Sequence, residues 1–234
     1  MNNVVKIAIT GGPCGGKSEL LKRLQEKYGD QLTIMPEIAT QLLEIPLNEG
    51  GVGIPGQDVE WSPEWQNDFQ SRIIEKQLSD ETYLTQVADL RNRGVKLVIC
   101  DRGILDGAAY EPLGREAFMQ KHQLTAELCH SLYDVVIHLN SLATDQPELY
   151  DQLKHTNPSR FEDADTAKAL DEKIALAYEG HPNLIRIPAD GEFCHKLERC
   201  EKILIEFAGL SQIENEPRIE IEEANRGIKA ELDQ

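Results

Sequence analysis

The octet Gly11-Gly12-Pro13-Cys14-Gly15-Gly16-Lys17-Ser18 constrains this chain more than any other stretch. It follows the mostly apolar run Val4-Val5-Lys6-Ile7-Ala8-Ile9 and precedes Glu19-Leu20-Leu21-Lys22-Arg23-Leu24. Its spacing is G-x-x-x-x-G-K-S, and strand, glycine loop, helix is the setting in which that spacing holds phosphate. Glycines let the backbone curl so that successive N–H groups point inward, and the following helix adds the positive end of its dipole. The pattern predicts a bound nucleoside triphosphate, ATP or else GTP, with Mg²⁺. The expected contacts are Gly12, Pro13, Cys14, Gly15, Gly16, Lys17, Ser18 and Glu19. Lys17 is expected to reach the β- and γ-phosphates, and Ser18 to place its hydroxyl on the metal.

Alternating apolar runs and amphipathic stretches predict an α/β fold, with a mainly parallel sheet flanked by helices. The expected strands are Val4–Ile9, Leu32–Met35, Lys96–Cys100, Val135–Leu139 and Leu184–Ile187. The first helix carries Leu20, Leu21 and Leu24 on one stripe and ends at Gly29. Further helices are expected over Glu37–Leu43, Glu64–Asn92 (ended by Gly94), Glu116–Tyr133, Asp163–Tyr178 and Gly191–Phe207. Between Pro46 and Pro63 the sequence reads as a long loop without structure of its own, a class that is usually functional or mobile. Ser141–Arg160 reads as a polar segment. Residues 1–210 suffice for one domain, and 211–234 read as an acidic tail too short for its own core.

A second site-forming segment is Val95–Cys100 followed by Asp101-Arg102-Gly103-Ile104-Leu105-Asp106. An aspartate ending an apolar strand sits where ligands bind in open α/β sheets. Asp101 is expected either to hold Mg²⁺ through water or to take a proton from an acceptor hydroxyl. The following residue is an arginine, which cannot act as a base but binds phosphate oxygens bidentately. That favours phosphoryl transfer over a hydrolysing motor; the structural alternative is that Asp101 merely caps a helix and Arg102 pairs with Asp106. Glu37, after the second strand, is either a general base or metal partner, or simply the first residue of a helix whose dipole it complements. Lys154, His155 and Arg160 bring positive charge to a possible lid, with Arg160 the strongest candidate to clamp phosphates. Trp61 and Trp65 close the long loop, and either stack on a ligand ring or belong to the core.

The net charge is −17 and the isoelectric point about 4.7. So negative a surface argues against nucleic acid as the main partner. A local site of N–H groups, one lysine and a metal still accommodates nucleotide. No apolar run approaches the roughly twenty residues that span a bilayer. Met1-Asn2-Asn3 lacks the basic region of a cleavable signal. Five scattered cysteines argue for reduced thiols. Together these predict a cytoplasmic protein.

Three stretches in order, Ile9–Ser18, Pro36-Glu37-Ile38-Ala39-Thr40 and Cys100–Gly107, resemble one branch of phosphate-loop proteins. Tyr133–Leu139 and Gly180-His181-Pro182 add to the likeness, which runs from Val4 to Phe207. The branch includes the P-loop domain of the TRPL-translocation-defect family and the kinase domain of ribosylnicotinamide kinases. The resemblance implies a nucleoside- and nucleotide-kinase-like core with a lid. Residues matching Lys17 and Ser18 would bind triphosphate and metal, those matching Asp101 and Arg102 would serve the reacting phosphate, and Arg160 would lie on the lid. The expected activity is ATP- and Mg²⁺-dependent phosphoryl transfer to a small hydroxyl-bearing acceptor such as a nucleoside or nucleotide. The alternative is a nucleotide-binding switch with slow hydrolysis.

Overall fold

The computed structural model describes residues 4–90, 96–154 and 163–208. Its strands are β1 (Val5–Thr10), β2 (Leu32–Met35), β3 (Leu97–Asp101), β4 (Val135–Leu139) and β5 (Leu184–Ile187). They form one sheet in the order β2-β3-β1-β4-β5, with every pair parallel. The helices among the described residues are α1 (Lys17–Tyr28), α2 (Ile38–Glu44), α3 (Pro63–Asp89), α4 (Gly114–Lys121), α5 (Ala126–Ser131), α6 (Leu142–Asp145), α7 (Pro147–Leu153), α8 (Ala164–Ala177) and α9 (Phe193–Ala208).

Side chains alternate across the strands, so each central strand feeds two cores. Ile7, Ile9, Leu97, Ile99, Val135 and Ile137 pack on α1 and α9 through Leu20, Leu24, Leu197 and Leu204. Ala8, Val98, Cys100 and Val136 pack on the opposite layer, against Phe69, Ile74, Phe118 and Tyr178. The β1-to-β2 connection passes outward beyond β3, whereas the β3-to-β4 connection returns past β1. Right-handed crossovers in opposite directions place their helices on opposite faces. The chain therefore parts at the carboxyl ends of β1 and β3, and a crevice opens where ligands bind in such sheets.

The expected parallel α/β architecture is the one found, and several elements differ locally. The segment read as one loop between Pro46 and Pro63 contains a 3₁₀ turn at Leu47–Glu49 and a bridge between Pro55 and Val59. Ser62 then caps α3 by accepting from Trp65 N. The helix expected over Glu116–Tyr133 is two helices, α4 and α5, separated around Gln123, whose φ is +55°. The segment read as merely polar holds α6 and α7, capped by Ser141 and started by Pro147. Asn92, Gly94, His155, Arg160 and the 211–234 tail lie outside the described residues.

Gly11 joins β1 to the phosphate loop at φ +131°, and a Cβ there would lie 2.1 Å from Leu139 O of β4. Neither the conformation nor the approach admits a side chain. Gly11→Ala is expected to cost about 3 kcal/mol, from backbone strain plus overpacking. Urea unfolding measures the loss; an unchanged midpoint would contradict this close contact.

Candidate functional site

The phosphate loop starts at Gly11 and runs into the first turn of α1. Its curvature rests on positive φ angles at Gly11, Cys14 and Gly16. Gly16 caps α1 in the left-handed region, and Gly15 N donates to Gly12 O at 3.3 Å. Three side chains from distant elements hold this loop from outside. Asp171 of α8 accepts from Gly12 N at 2.8 Å, Ser141 Oγ donates to Pro13 O at 2.5 Å, and Lys196 Nζ of α9 donates to Gly15 O at 2.8 Å. Asp171 is fully buried and also accepts from Ser141 N and Thr144 Oγ1, while His138 Nε2 lies 3.0 Å from its Oδ1. Burial works against its charge, but these donors prevail and hold its carboxyl at about 2. A side chain at Gly12 would meet the Asp171 Cβ at 2.8 Å, which explains a glycine there.

Lys17 turns back over the loop and donates to Gly11 O at 2.6 Å and Gly12 O at 3.1 Å. Withdrawal from solvent, with Arg102 nearby, lowers its pKa to about 8. Arg102 also reaches Gly11 O, at 3.3 Å. Its guanidinium is paired with Glu37 through Nε and with Asp106 through Nη1 at 3.1 Å. Burial opposes its charge, but the Asp106 and Glu37 carboxylates raise its pKa. Glu37 is correspondingly held below its ordinary value, with burial overcome by Arg102 and by a bond from Thr40. The pairing of Arg102 with Asp106, an alternative in the sequence, is thus present together with exposure to the cavity.

Asp106 anchors the arrangement. It is buried and accepts from Thr10 Oγ1 (2.7 Å), Tyr178 OH (2.8 Å), Gly103 N (3.3 Å) and Arg102. Arg102 itself sits at φ +77°, a strained value for a long side chain, pinned by its N–H to Ile9 O. Asp101 has no such support. Its Oδ1 is buried without a hydrogen-bond partner among the described residues. Burial raises its carboxyl to about 6 despite Lys17.

One cavity of about 700 Å³ brings together Gly12 to Glu19, Glu37, Asp101 and Arg102. A hard cation fits this end of it: the Asp101 carboxylate has an unsatisfied oxygen, and the Ser18 hydroxyl borders the same space. Arg160 falls outside the described residues. Lys154 is instead bound to Asp151 at 2.9 Å and does not line the cavity. A second cavity of about 250 Å³ shares Glu37, Arg102 and Tyr110 with the first. Trp65 and Phe69, stacked with centroids 4.9 Å apart, line it; Trp65 also donates to Val52 O. Trp61 is 61% exposed and borders neither cavity.

Sequence reasoning missed Asp171, Ser141 and Lys196. The only signal for them was polar residues in otherwise apolar settings: Ser141 just after β4, Asp171 and Lys196 on the buried faces of amphipathic helices. Residues 6–193 match a family model described as an AAA domain. No curated protein matches the chain. Among the described residues no helix is long and apolar enough to cross a membrane.

The Asp101 shift gives a pH test. Its carboxyl holds a proton more tightly in the folded than in the unfolded chain, so the unliganded protein should lose stability as pH rises from about 4 to about 6. Metal-dependent nucleotide affinity should move oppositely, weakening as pH falls through about 6. Calorimetric titration of Mg²⁺ and nucleotide between pH 5 and pH 7, values chosen to bracket that pKa, checks the affinity, with Asp101→Asn flat and weak across the range, and urea unfolding of the unliganded protein from about pH 4 to about pH 6 checks the stability. A wild-type affinity independent of pH there would remove Asp101 from the metal site.

Proposed function

The chain belongs to the AAA-domain family of P-loop nucleotide-binding proteins, and on that premise we propose that it transfers the γ-phosphoryl group of ATP to a hydroxyl of a small acceptor, a nucleoside or nucleotide. The observation that carries this reading is the second cavity beside the phosphate-loop cavity, with Glu37 and Arg102 in the wall common to both. A simple hydrolase needs room for water at this point, whereas a transferase needs an acceptor chamber. The stacked Trp65 and Phe69 suit a planar ring. Gln70, whose buried Oε1 has no partner among the described residues, suits a hydrogen-bond donor on that ring. The resemblance to the ribosylnicotinamide kinase domain supports the same assignment.

In this mechanism the triphosphate lies on the N–H groups of the loop, and Lys17 leaves the Gly11 and Gly12 carbonyls for phosphate oxygens. Ser18 and Asp101 would hold Mg²⁺, which when bound neutralises phosphate charge. Arg102 faces the migrating phosphoryl group from between the cavities and stabilises its charge. Glu37 accepts the hydrogen bond of the attacking hydroxyl and then its proton. Its low pKa is adequate, because a loose phosphoryl transition state needs little help from a strong base. Positioning and electrostatics therefore supply most of the rate. Arg160 would add charge from the lid, as the resemblance implies.

The test is a panel of nucleosides and nucleotides incubated with ATP and Mg²⁺, with product and free phosphate measured separately. At least one acceptor should be phosphorylated faster than ATP is lost to water. Glu37→Gln should lower kcat by about 10²- to 10⁴-fold with ATP affinity little altered. Trp65→Ala should raise the acceptor KM. Hydrolysis without transfer to any acceptor would overturn the kinase reading and favour a nucleotide-dependent switch.

A further inference from the structure

Lys196 is the third residue gripping the phosphate loop, and the least expected of them. It is 3% exposed, yet its ammonium bonds only the neutral carbonyls Gly15 O (2.8 Å) and Asn140 O (2.6 Å). Among the described residues no carboxylate lies within ion-pair distance of it; Asp171 and Asp145 act on it only at longer range. An ammonium taken out of water without a paired anion costs several kcal/mol. Two carbonyls could be satisfied more cheaply by a neutral donor. The charge therefore has a use beyond holding α9 in place.

The geometry of the peptide supplies one. In a planar trans peptide the C=O and N–H point in opposite directions. Fixing the Gly15 carbonyl on Lys196 turns the Gly16 N–H the other way. Phe193, one turn earlier on α9, closes the side of Gly16: a Cβ there would lie 2.6 Å from its ring. Both α9 side chains also border the cavity of the phosphate loop. We propose that Lys196 is a positioning residue for polyphosphate binding, acting through the Gly15 carbonyl to aim the Gly16 N–H and adding a fixed positive charge behind the loop. The role rests on nucleotide binding at the loop and not on phosphoryl transfer.

The experiment titrates the full chain with Mg·ATP and with magnesium tripolyphosphate, which reads the loop without a base or sugar. Lys196→Met should weaken both ligands by about 10- to 100-fold, the range of one lost charge-assisted hydrogen bond. The two losses should be equal within error, and the melting temperature of the unliganded protein should change by only a few degrees. Lys196→Arg keeps the charge while displacing it, and should fall between the two. If Lys196→Met does not fold, the arginine variant is read alone, and a reduced tripolyphosphate affinity at unchanged melting temperature is the supporting result. Unchanged affinity, or a loss that only tracks a drop in melting temperature, overturns the proposal. Lys17→Ala is the control: wild-type protein binding neither ligand defeats nucleotide binding itself. Binding that Lys17→Ala abolishes and Lys196→Met spares defeats only the role of Lys196.

Discussion

A guanidinium suspended between two carboxylates at the carboxyl end of β3 is the interaction on which the site depends. Arg102 is paired with Glu37 from the start of α2 and with Asp106 from the turn after β3. Such a partly buried cluster is weak evidence for stability, because desolvation offsets much of the Coulomb gain. Its value lies in placement. Asp106 fixes one edge of the guanidinium and is itself fixed by Thr10 at the end of β1 and Tyr178 at the end of α8. Glu37 fixes the other edge and links it to the loop after β2. The ends of three neighbouring strands are thereby tied to one cation, at the point where the crossovers part.

The same logic extends to the backbone. Arg102 keeps a positive φ because its N–H is held by Ile9 O and its carbonyl by Gln77 Nε2. Gln77 belongs to a buried set in α3 that includes Glu81, bonded by Tyr133 OH and by Lys6. Strain at Arg102 is thus sustained from the sheet, through β1, and from α3 on one of its faces, as a functional side chain in a sparsely populated conformation requires. The phosphate loop is treated likewise. Its inner surface is left to Lys17 and the N–H groups, while Asp171, Ser141 and Lys196 occupy its outer polar atoms.

What could be read from the sequence was what is local. The glycine loop, Lys17 and Ser18 follow one another, and Asp101-Arg102 ends a run of apolar residues; each signal is complete within a few positions. Glu37 was legible as a carboxylate after a strand, although not as the partner of Arg102. The outer supports of the loop were not legible, because they are made across 159 residues for Gly12 and Asp171 and 181 for Gly15 and Lys196. No periodicity reports a contact at such separation. The short helices α6 and α7 were hidden for another reason: at four and seven residues they are too short to show a repeating apolar stripe. The break between α4 and α5 turns on Gln123 at positive φ, a position where sequence offers glycine or asparagine as the usual marker and here offers neither.

The charge balance of the site follows from these restraints. Lys17 and Arg102 carry two positive charges, and Glu37, Asp101 and Asp106 up to three negative ones. Asp101 has a buried oxygen without a partner among the described residues, and burial raises its carboxyl to about 6. Glu37 and Asp106 spend their charge on Arg102, so the position open to a metal is Asp101, next to the loop and away from the second cavity. In a chain of net charge −17, two cations, Lys17 and Arg102, and the phosphate loop thus line one crevice beside the Asp101 carboxylate. An acidic exterior and an anion-binding crevice are compatible because salt screens surface carboxylates that lie more than about 10 Å away, whereas Lys17, Arg102 and the loop N–H groups act on a bound anion at contact distance.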